Sequence, residues 1–503
     1  MTEPLGANTD TLDRMAESLR VDARRVADIR TQAERALTQL QAGWNGPDLW
    51  HLTGQWQQET SPQLASAATA LETCAAELRT QSSAQRGTSS IDGGGSGLFA
   101  TGTAASALGV LPLPGPRGNR PASPPSHGSP ADNAGWWRSM SPGQQQQVVE
   151  DHPDWIGNRD GVPFTARDRA NRALLSVSRA DLADERQRLE ADLADNWLGD
   201  AFTTDDEALE QVEDKVASLD AIEATLARSG QRQLLLLDLS TERAQAAIAR
   251  GNVDTADNVA VFVPGMTANV TDSMKGYDNS MDQLQHRAEL ENKRANPAQD
   301  LTTATVTWIG YQAPQLGWGL LGDDSAAYDR AAKAGAAQLV PFLRGIDAAR
   351  EHDAHLSVLG HSYGSTTAGL ALRQATGVDD VVFFGSPGIG TNHVEDLSVP
   401  KGNTYYIEAR WDPVGDLGHF GIDPSHIDGI EHASAKKSTV VDPMSGEIRR
   451  FSEVTGHTSY LDDDSTSQYN MSVVVAGVPD RRVSDRGEGV GDVLSRPLPG
   501  TYS

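Results

Sequence analysis

Residues 356–365 read LSVLGHSYGS, an apolar run that ends in Gly360-His361-Ser362-Tyr363-Gly364. A buried strand, a tight turn centred on serine and a small-residue helix (STTAGLAL, 365–372) predict an elbow that strains the serine backbone and exposes its Oγ. The flanking glycines have a steric reason: two residues either side of the serine, a Cβ would collide with the neighbouring strand or helix. A bare G-x-S-x-G means little in a chain with 48 glycines, so the strand and helix around it carry the reading. The chemistry it suggests is nucleophilic attack by Ser362.

A serine hydroxyl is a poor nucleophile near neutral pH and needs a general base, which in turn needs an orienting carboxylate. In strand–elbow–helix catalysts the chain order is Ser, then Asp or Glu, then His. Asp412 ends the expected strand TYYIEARWD, with Asp416 as its rival. His419, His426, His432 and His457 all follow. His457 is favoured because Gly456-His457-Thr458-Ser459-Tyr460 forms a short late loop, after room for a strand pair around VVDPMSGEIRRF. An oxyanion needs two backbone N–H donors. Tyr363, next after the serine, supplies one. The loop of VFVPGMTAN supplies the other, from the Met266 amide or from Thr267 by amide or hydroxyl.

These residues need a sheet to hold them. Apolar runs at 234–239, 259–265, 303–311, 355–360, 380–388 and 404–412 alternate with helical stretches such as 325–350 and 365–374. Near-continuous apolar strands between helices predict an α/β fold, a mainly parallel sheet covered on both faces. Upstream, residues 1–86 read as a helical hairpin, with Leu12, Met15, Leu19, Val26 and Ile29 on one stripe and Leu64, Ala68, Leu71 and Leu78 on another. Residues 87–133 are rich in Gly, Pro and Ser and are expected to be a flexible linker. Residues 134–230 read as mostly helical, 231–479 as the α/β domain and 480–503 as a disordered tail.

A net charge of −27, from 69 acidic and 42 basic side chains, disfavours nucleic acid and anionic membranes as partners. Cys74 is the single cysteine, so no disulfide can form within the chain. No apolar run is long enough for a transmembrane helix and no N-terminal signal h-region is evident, which predicts a cytoplasmic protein or one exported without a cleaved signal. The 416–432 stretch gathers three histidines and four acids, but its spacing matches no zinc pattern. It reads as a loop over the site, as does 310–324 with Trp318, which could line a pocket or act as a lid. Ser386, in Gly385-Ser386-Pro387-Gly388, lacks an elbow and reads as structural.

The chain resembles the α/β-hydrolase superfamily, and within it a serine hydrolase family of high-GC Gram-positive bacteria that has no firmly assigned substrate. GHSYGS (360–365), DDVVFFGSPGIG (379–390), VFVPGM (261–266), TWIGYQAP (307–314) and GHTSY (456–460) carry the resemblance, which reaches upstream into 136–172. It implies a triad of Ser362, Asp412 and His457. The expected function is a serine hydrolase of carboxylic esters, esterase- or lipase-like, that needs no cofactor and no metal. Its partner is a small-molecule or lipid ester; ester and amide remain open. Separately, Trp44-Asn45-Gly46 resembles the motif of W-x-G helical hairpins associated with type VII secretion. Pro62 interrupts the second helix, and no Tyr-x-x-x-Asp/Glu export signal follows. The hairpin resemblance implies a hairpin partner or self-association through 1–86. The alternatives are a hydrolase-fold interaction protein without turnover and a secreted lipolytic effector.

Overall fold

The structure, a computed structural model, describes residues 121–195, 204–315, 325–412, 414, 422–442 and 445–485, with isolated positions between 20 and 79. Two compact units divide the chain: 1–113 with 191–206, and 114–190 with 207–503. In the first unit the described positions are helical, and the Ser61 hydroxyl donates to the Glu34 carboxylate at 3.4 Å. Trp44-Asn45-Gly46 lies outside the described residues.

Four helices precede the sheet: α1 (Pro130–Arg138), α2 (Pro142–Asp151), α3 (Phe164–Asp195) and α4 (Thr204–Leu226), all within the second unit except residues 191–195 and 204–206. Ser129 and Ser141 start the first two with capping boxes closed by Asp132 and Gln144, each with proline in the first turn. The end of the segment expected as linker is therefore anchored rather than flexible. Trp136 Nε1 donates to the Ala122 carbonyl at 3.0 Å and Arg159 to that of Pro125 at 3.0 Å. A Gly/Pro/Ser composition misses such tethers because the donors lie outside the segment.

Eight strands form the main sheet: β1 (Arg232–Asp238), β2 (Gln245–Arg250), β3 (Asn258–Val263), β4 (Thr303–Ile309), β5 (His355–His361), β6 (Asp380–Phe384), β7 (Thr404–Ile407) and β8 (Glu431–Ala433), in the order β1-β2-β4-β3-β5-β6-β7-β8. From β4 to β8 every pair is parallel; β1 and β2 make an antiparallel edge. Four more helices follow: α5 (Val270–Ala295), α6 (Ser325–Ala349), α7 (Tyr363–Leu372) and α8 (Thr466–Val475). Strand alternation sorts their side chains. Val259, Val261 and Val263 of β3 pack in one layer with Leu339 and Leu343 of α6 and Ala368 of α7, while Ala260 and Phe262 pack in the other with Met281 of α5 and Val474 of α8. Each of the buried Val, Leu, Met and Phe side chains among these contributes about 1.5–3 kcal/mol. The expected α/β fold, a mainly parallel sheet flanked by helices and preceded by a helical segment, is the fold observed.

The helical segment and the sheet are parts of one unit. Asp168 of α3 accepts the Leu234 N–H at 2.7 Å, and Asn158 both accepts from and donates to the Leu237 backbone. Side chains thus cover the outer edge of β1. The strand pair expected before His457 is the hairpin of β9 (Ser438–Val441) and β10 (Ile448–Phe451). The tail departs from expectation at its start. Residues 480–485 are held by Arg481 on Asp442 at 3.0 Å, Arg482 on Glu431 at 2.7 Å and a bridge from Ser484 to Ala433.

Candidate active site

Four segments converge where the parallel strands end, at the edge that open α/β sheets use for ligands. Ser362 joins β5 to α7 with φ 53° and ψ −132°, a conformation that costs about 1–3 kcal/mol and persists only where its surroundings impose it. Its N–H is held by the Phe384 carbonyl at 3.0 Å, and its own carbonyl accepts the Ser365 N–H at 2.9 Å. The flanking glycines are sterically required. A Cβ on Gly360 would lie 2.8 Å from Ser365 Cα, and one on Gly364 would lie 2.2 Å from the Val263 carbonyl oxygen. The ten-residue helix α7 directs its N-terminal positive end at this point.

Ser362 Oγ lies 2.8 Å from His457 Nε2, and His457 Nδ1 lies 2.9 and 3.0 Å from the two Asp412 oxygens. Ser362 and Asp412 are buried, while His457 keeps 24% of its side chain exposed. Strand β7 stops at Ile407, short of the expected end at Asp412. The chain then turns through Trp411, whose φ is 65°, before the buried carboxylate. Gly456 N–H donates to the Arg410 carbonyl at 2.9 Å, tying the acid segment to the histidine loop. Of the rivals, Asp416 and His419 lie outside the described residues. His426 is exposed beside Asp423 at 3.3 Å, and His432 sits in β8 edge-on to Tyr406; neither meets Ser362.

Burial acts to raise the Asp412 pKa, but hydrogen bonds from His457, Tyr460 and the Val414 N–H outweigh it and hold the carboxyl below its ordinary value. Tyr460 supplies the shortest of these, its hydroxyl donating to Asp412 Oδ2 at 2.6 Å while accepting the Ala409 N–H at 2.8 Å. Burial and the adjacent carboxylate push the Tyr460 phenol up, so it remains a donor. The expected end of β6 at residue 388 is also cut short. The strand stops at Phe384 because Gly385, with φ 54°, turns away, and a Cβ there would lie 2.9 Å from Asp412 Oδ2.

His361 completes the surroundings. Its Nε2 lies 2.9 Å from the His457 carbonyl oxygen, and its ring stacks on that of His457 at 4.9 Å. Burial first, and the neighbouring His457 second, lower its pKa to about 4. Tyr460, His361 and Gly385 were not read as site residues from the sequence. All three lie inside the motifs that carry the resemblance, Tyr460 three residues after His457 and His361 one before Ser362. Below them, Ser386 is buried and bonded to Ser365 Oγ at 2.5 Å, a structural part.

The loop after β3 brings Gly265 against the serine: a Cβ on it would lie 2.6 Å from Ser362 Cβ. Residues 265–268 form a turn in which Ala268 N–H reaches the Gly265 carbonyl at 3.4 Å and Thr267 has φ 65°. The Thr267 N–H donates to the Pro314 carbonyl at 2.8 Å, so that amide is committed elsewhere. In a trans peptide, C=O and N–H point in opposite directions. With the Gly265 carbonyl turned into the loop, the Met266 N–H faces out of it.

A family profile described as Alpha/beta hydrolase matches residues 240–422. An uncharacterized protein of Mycobacterium bovis is 32% identical over 242 residues, covering 46% of this chain and 88% of that one. The chain belongs to the alpha/beta hydrolase family. A second relative, an uncharacterized protein of Mycobacterium tuberculosis, is 28% identical over 395 residues, or 72% of this chain and 58% of its own length. Among solved structures, a hyperthermophilic esterase from Pyrobaculum calidifontis aligns at 12% identity and a TM-score of 0.31, over 59% of this chain and 96% of its own. A cold-adapted esterase from an Arctic intertidal metagenomic library aligns at 11% identity and 0.30, over 51% and 96%.

Proposed function

We propose that the protein is a serine hydrolase of carboxylic esters that works through an acyl-enzyme. The observation that carries this reading is the unbroken contact from Ser362 Oγ through His457 to Asp412, with the serine on a strained elbow. In the proposed reaction Ser362 Oγ attacks the carbonyl carbon as His457 Nε2 takes its proton. The oxyanion is held by the amides of Met266 and Tyr363 at the head of α7. Collapse of the tetrahedral adduct breaks the bond to the alkoxide, which leaves with the proton from His457. Water then repeats the sequence on the acyl-serine and releases the acid. Asp412 remains ionised throughout and stabilises the imidazolium.

Esters suit this set of groups better than amides, because an alkoxide needs less proton donation to depart than an amine. Fluorophosphonate labelling of the full chain, read by intact mass, tests the proposal. One covalent addition is expected on wild type and none on Ser362→Ala or His457→Ala. Folded wild type that takes no label would favour a hydrolase-fold binding module instead.

A further inference from the structure

Gly265 presents a problem that its own segment does not solve. The crowding of Ser362 admits only glycine there, yet glycine is the residue whose backbone is freest to move. An oxyanion donor must be aimed before the reaction begins. The peptide planes on either side of Gly265 therefore have to be fixed from outside.

The segment after β4 fixes them. The Tyr311 hydroxyl donates to the Pro264 carbonyl at 2.7 Å, while the other side of that carbonyl is closed by Gly364, where a Cβ would lie 2.5 Å away. The Pro314 carbonyl takes the Thr267 N–H, and Gln315 Nε2 bonds the Ala313 carbonyl at 2.9 Å and reaches that of Ala268 at 3.5 Å. With the 265–268 turn, three successive peptide planes, 264–265, 265–266 and 266–267, are pinned. Tyr311 is itself closely packed: buried, stacked on Trp308 at 5.9 Å and on Tyr363 at 6.4 Å, with Gly335 of α6 leaving room for its ring. Thr267 is the sign that this clamp bears load. A β-branched residue in the left-handed region is an outlier that survives only where its neighbours hold it.

We propose that Tyr311 and the 312–315 segment are a brace that aims the Met266 amide, with Tyr311 as a positioning residue that never touches substrate. The proposal rests on the catalytic reading of Ser362. Tyr469 provides a matched control, since its buried hydroxyl also donates to a backbone carbonyl, that of Arg481 at 2.8 Å, in the separate cluster with Phe451 and Val473. Wild type, Tyr311→Phe and Tyr469→Phe, all full length, are compared in p-nitrophenyl butyrate turnover and in phenylboronic acid binding, which mimics the tetrahedral adduct. Both variants should lose similar thermal stability. Only Tyr311→Phe should lose about tenfold in kcat with KM within about twofold, because misaiming one donor costs part of what removing it costs. Its boronate affinity should fall by the same factor. Wild-type kcat and boronate affinity in Tyr311→Phe would overturn the brace. Should that variant not fold, Gln315→Ala is read in the same way, and unchanged values overturn it equally. Ser362→Ala separates the two ideas. If it is inactive while Tyr311→Phe is normal, only the brace falls; if it still turns over ester, both fall.

Discussion

Strand β5 begins with one histidine–aspartate pair and ends at another. At its first residue His355 Nε2 meets Asp380 at 2.6 Å; past its last, His457 Nδ1 meets Asp412 at 2.9 Å. Both histidines keep 24% of their side chains exposed, and both aspartates are buried. Burial and pairing therefore do not distinguish them. The difference lies in the second ring nitrogen. His457 Nε2 faces the hydroxyl of a strained serine, whereas the His355 ring has beyond Asp380 only the Val475 backbone to bond. The carboxylates differ too. Asp412 accepts from His457, Tyr460 and the Val414 N–H, while Asp380 is paired with His355 and lies beside the Tyr405 phenol. A buried His–Asp pair is a structural tie unless its outer nitrogen is aimed at something that can react.

The largest effect that would test this contrast comes from the same substitution at each pair. Asp412→Asn should lower kcat by about 10⁴, as the imidazole loses its tautomer and its counter-charge, with little change in melting temperature. Asp380→Asn should do the reverse, costing about 1.5–3 kcal/mol of stability by weakening a charge-assisted hydrogen bond and leaving kcat per folded molecule intact. Ester turnover and thermal melts on both variants decide it. Equal losses of kcat would remove the distinction.

Next in size is an acid instability that belongs to the site end alone. His361 has a folded pKa of about 4, below the 6.5 of an ordinary histidine, because it is buried and lies beside His457. Between those values the unfolded chain binds a proton that the folded one refuses, so stability falls as pH drops from about 6.5 to about 4. The shift corresponds to something on the order of 3 kcal/mol. His361→Asn should flatten that slope in urea titrations run across this range. A slope that survives the substitution would assign it to other groups.

A smaller effect tests why Asp412 works. Tyr460→Phe removes one of the bonds that hold the carboxyl below its ordinary pKa while keeping the ring against His361 and Phe384. The expected outcome is a loss of about tenfold in kcat from poorer orientation of His457. Unchanged kcat would make Tyr460 a packing residue only.

Much of this was legible in the chain because it repeats local physics. Apolar strands of four to eight residues and the glycines around Ser362 report steric facts that involve near neighbours. Chain order left several candidates, and local setting favoured Asp412 and His457, residues that the fold brings together across 45 positions. What the sequence hid depends on contacts between distant elements. Tyr460 is one aromatic among nine tyrosines until β7 ends early and leaves Ala409 N–H and Asp412 facing its hydroxyl. The strand end was overestimated at 388 because Gly385 adopts positive φ, and a hydrophobic pattern carries no mark of that; β7 stops at Ile407, already before the turn at Trp411. The anchoring of 121–133 and 480–485 was missed in the same way, since Arg159 and Glu431 sit far from the segments they hold.

The smallest effect belongs to the other pair and has the opposite sign in pH. Burial pushes the His355 imidazole down, but its hydrogen bond to Asp380 and the charges of Asp380 and Asp379 outweigh that and hold its pKa above the ordinary value. A group raised in the folded state contributes stability that is fully present below the unfolded value, near 6.5, and is lost as pH rises through the folded one. Wild type should therefore exceed His355→Gln in unfolding free energy by more at pH 5.5 than at pH 8.5. The His361 difference runs the other way, largest at the alkaline end. Two histidines, six residues apart on one strand, would then carry opposite pH signatures, because one is paired with a carboxylate and the other is packed against a second imidazole. Matching signatures would mean that the Asp380 bond does not survive in solution, and the pair could no longer serve as the structural counterpart of His457 and Asp412.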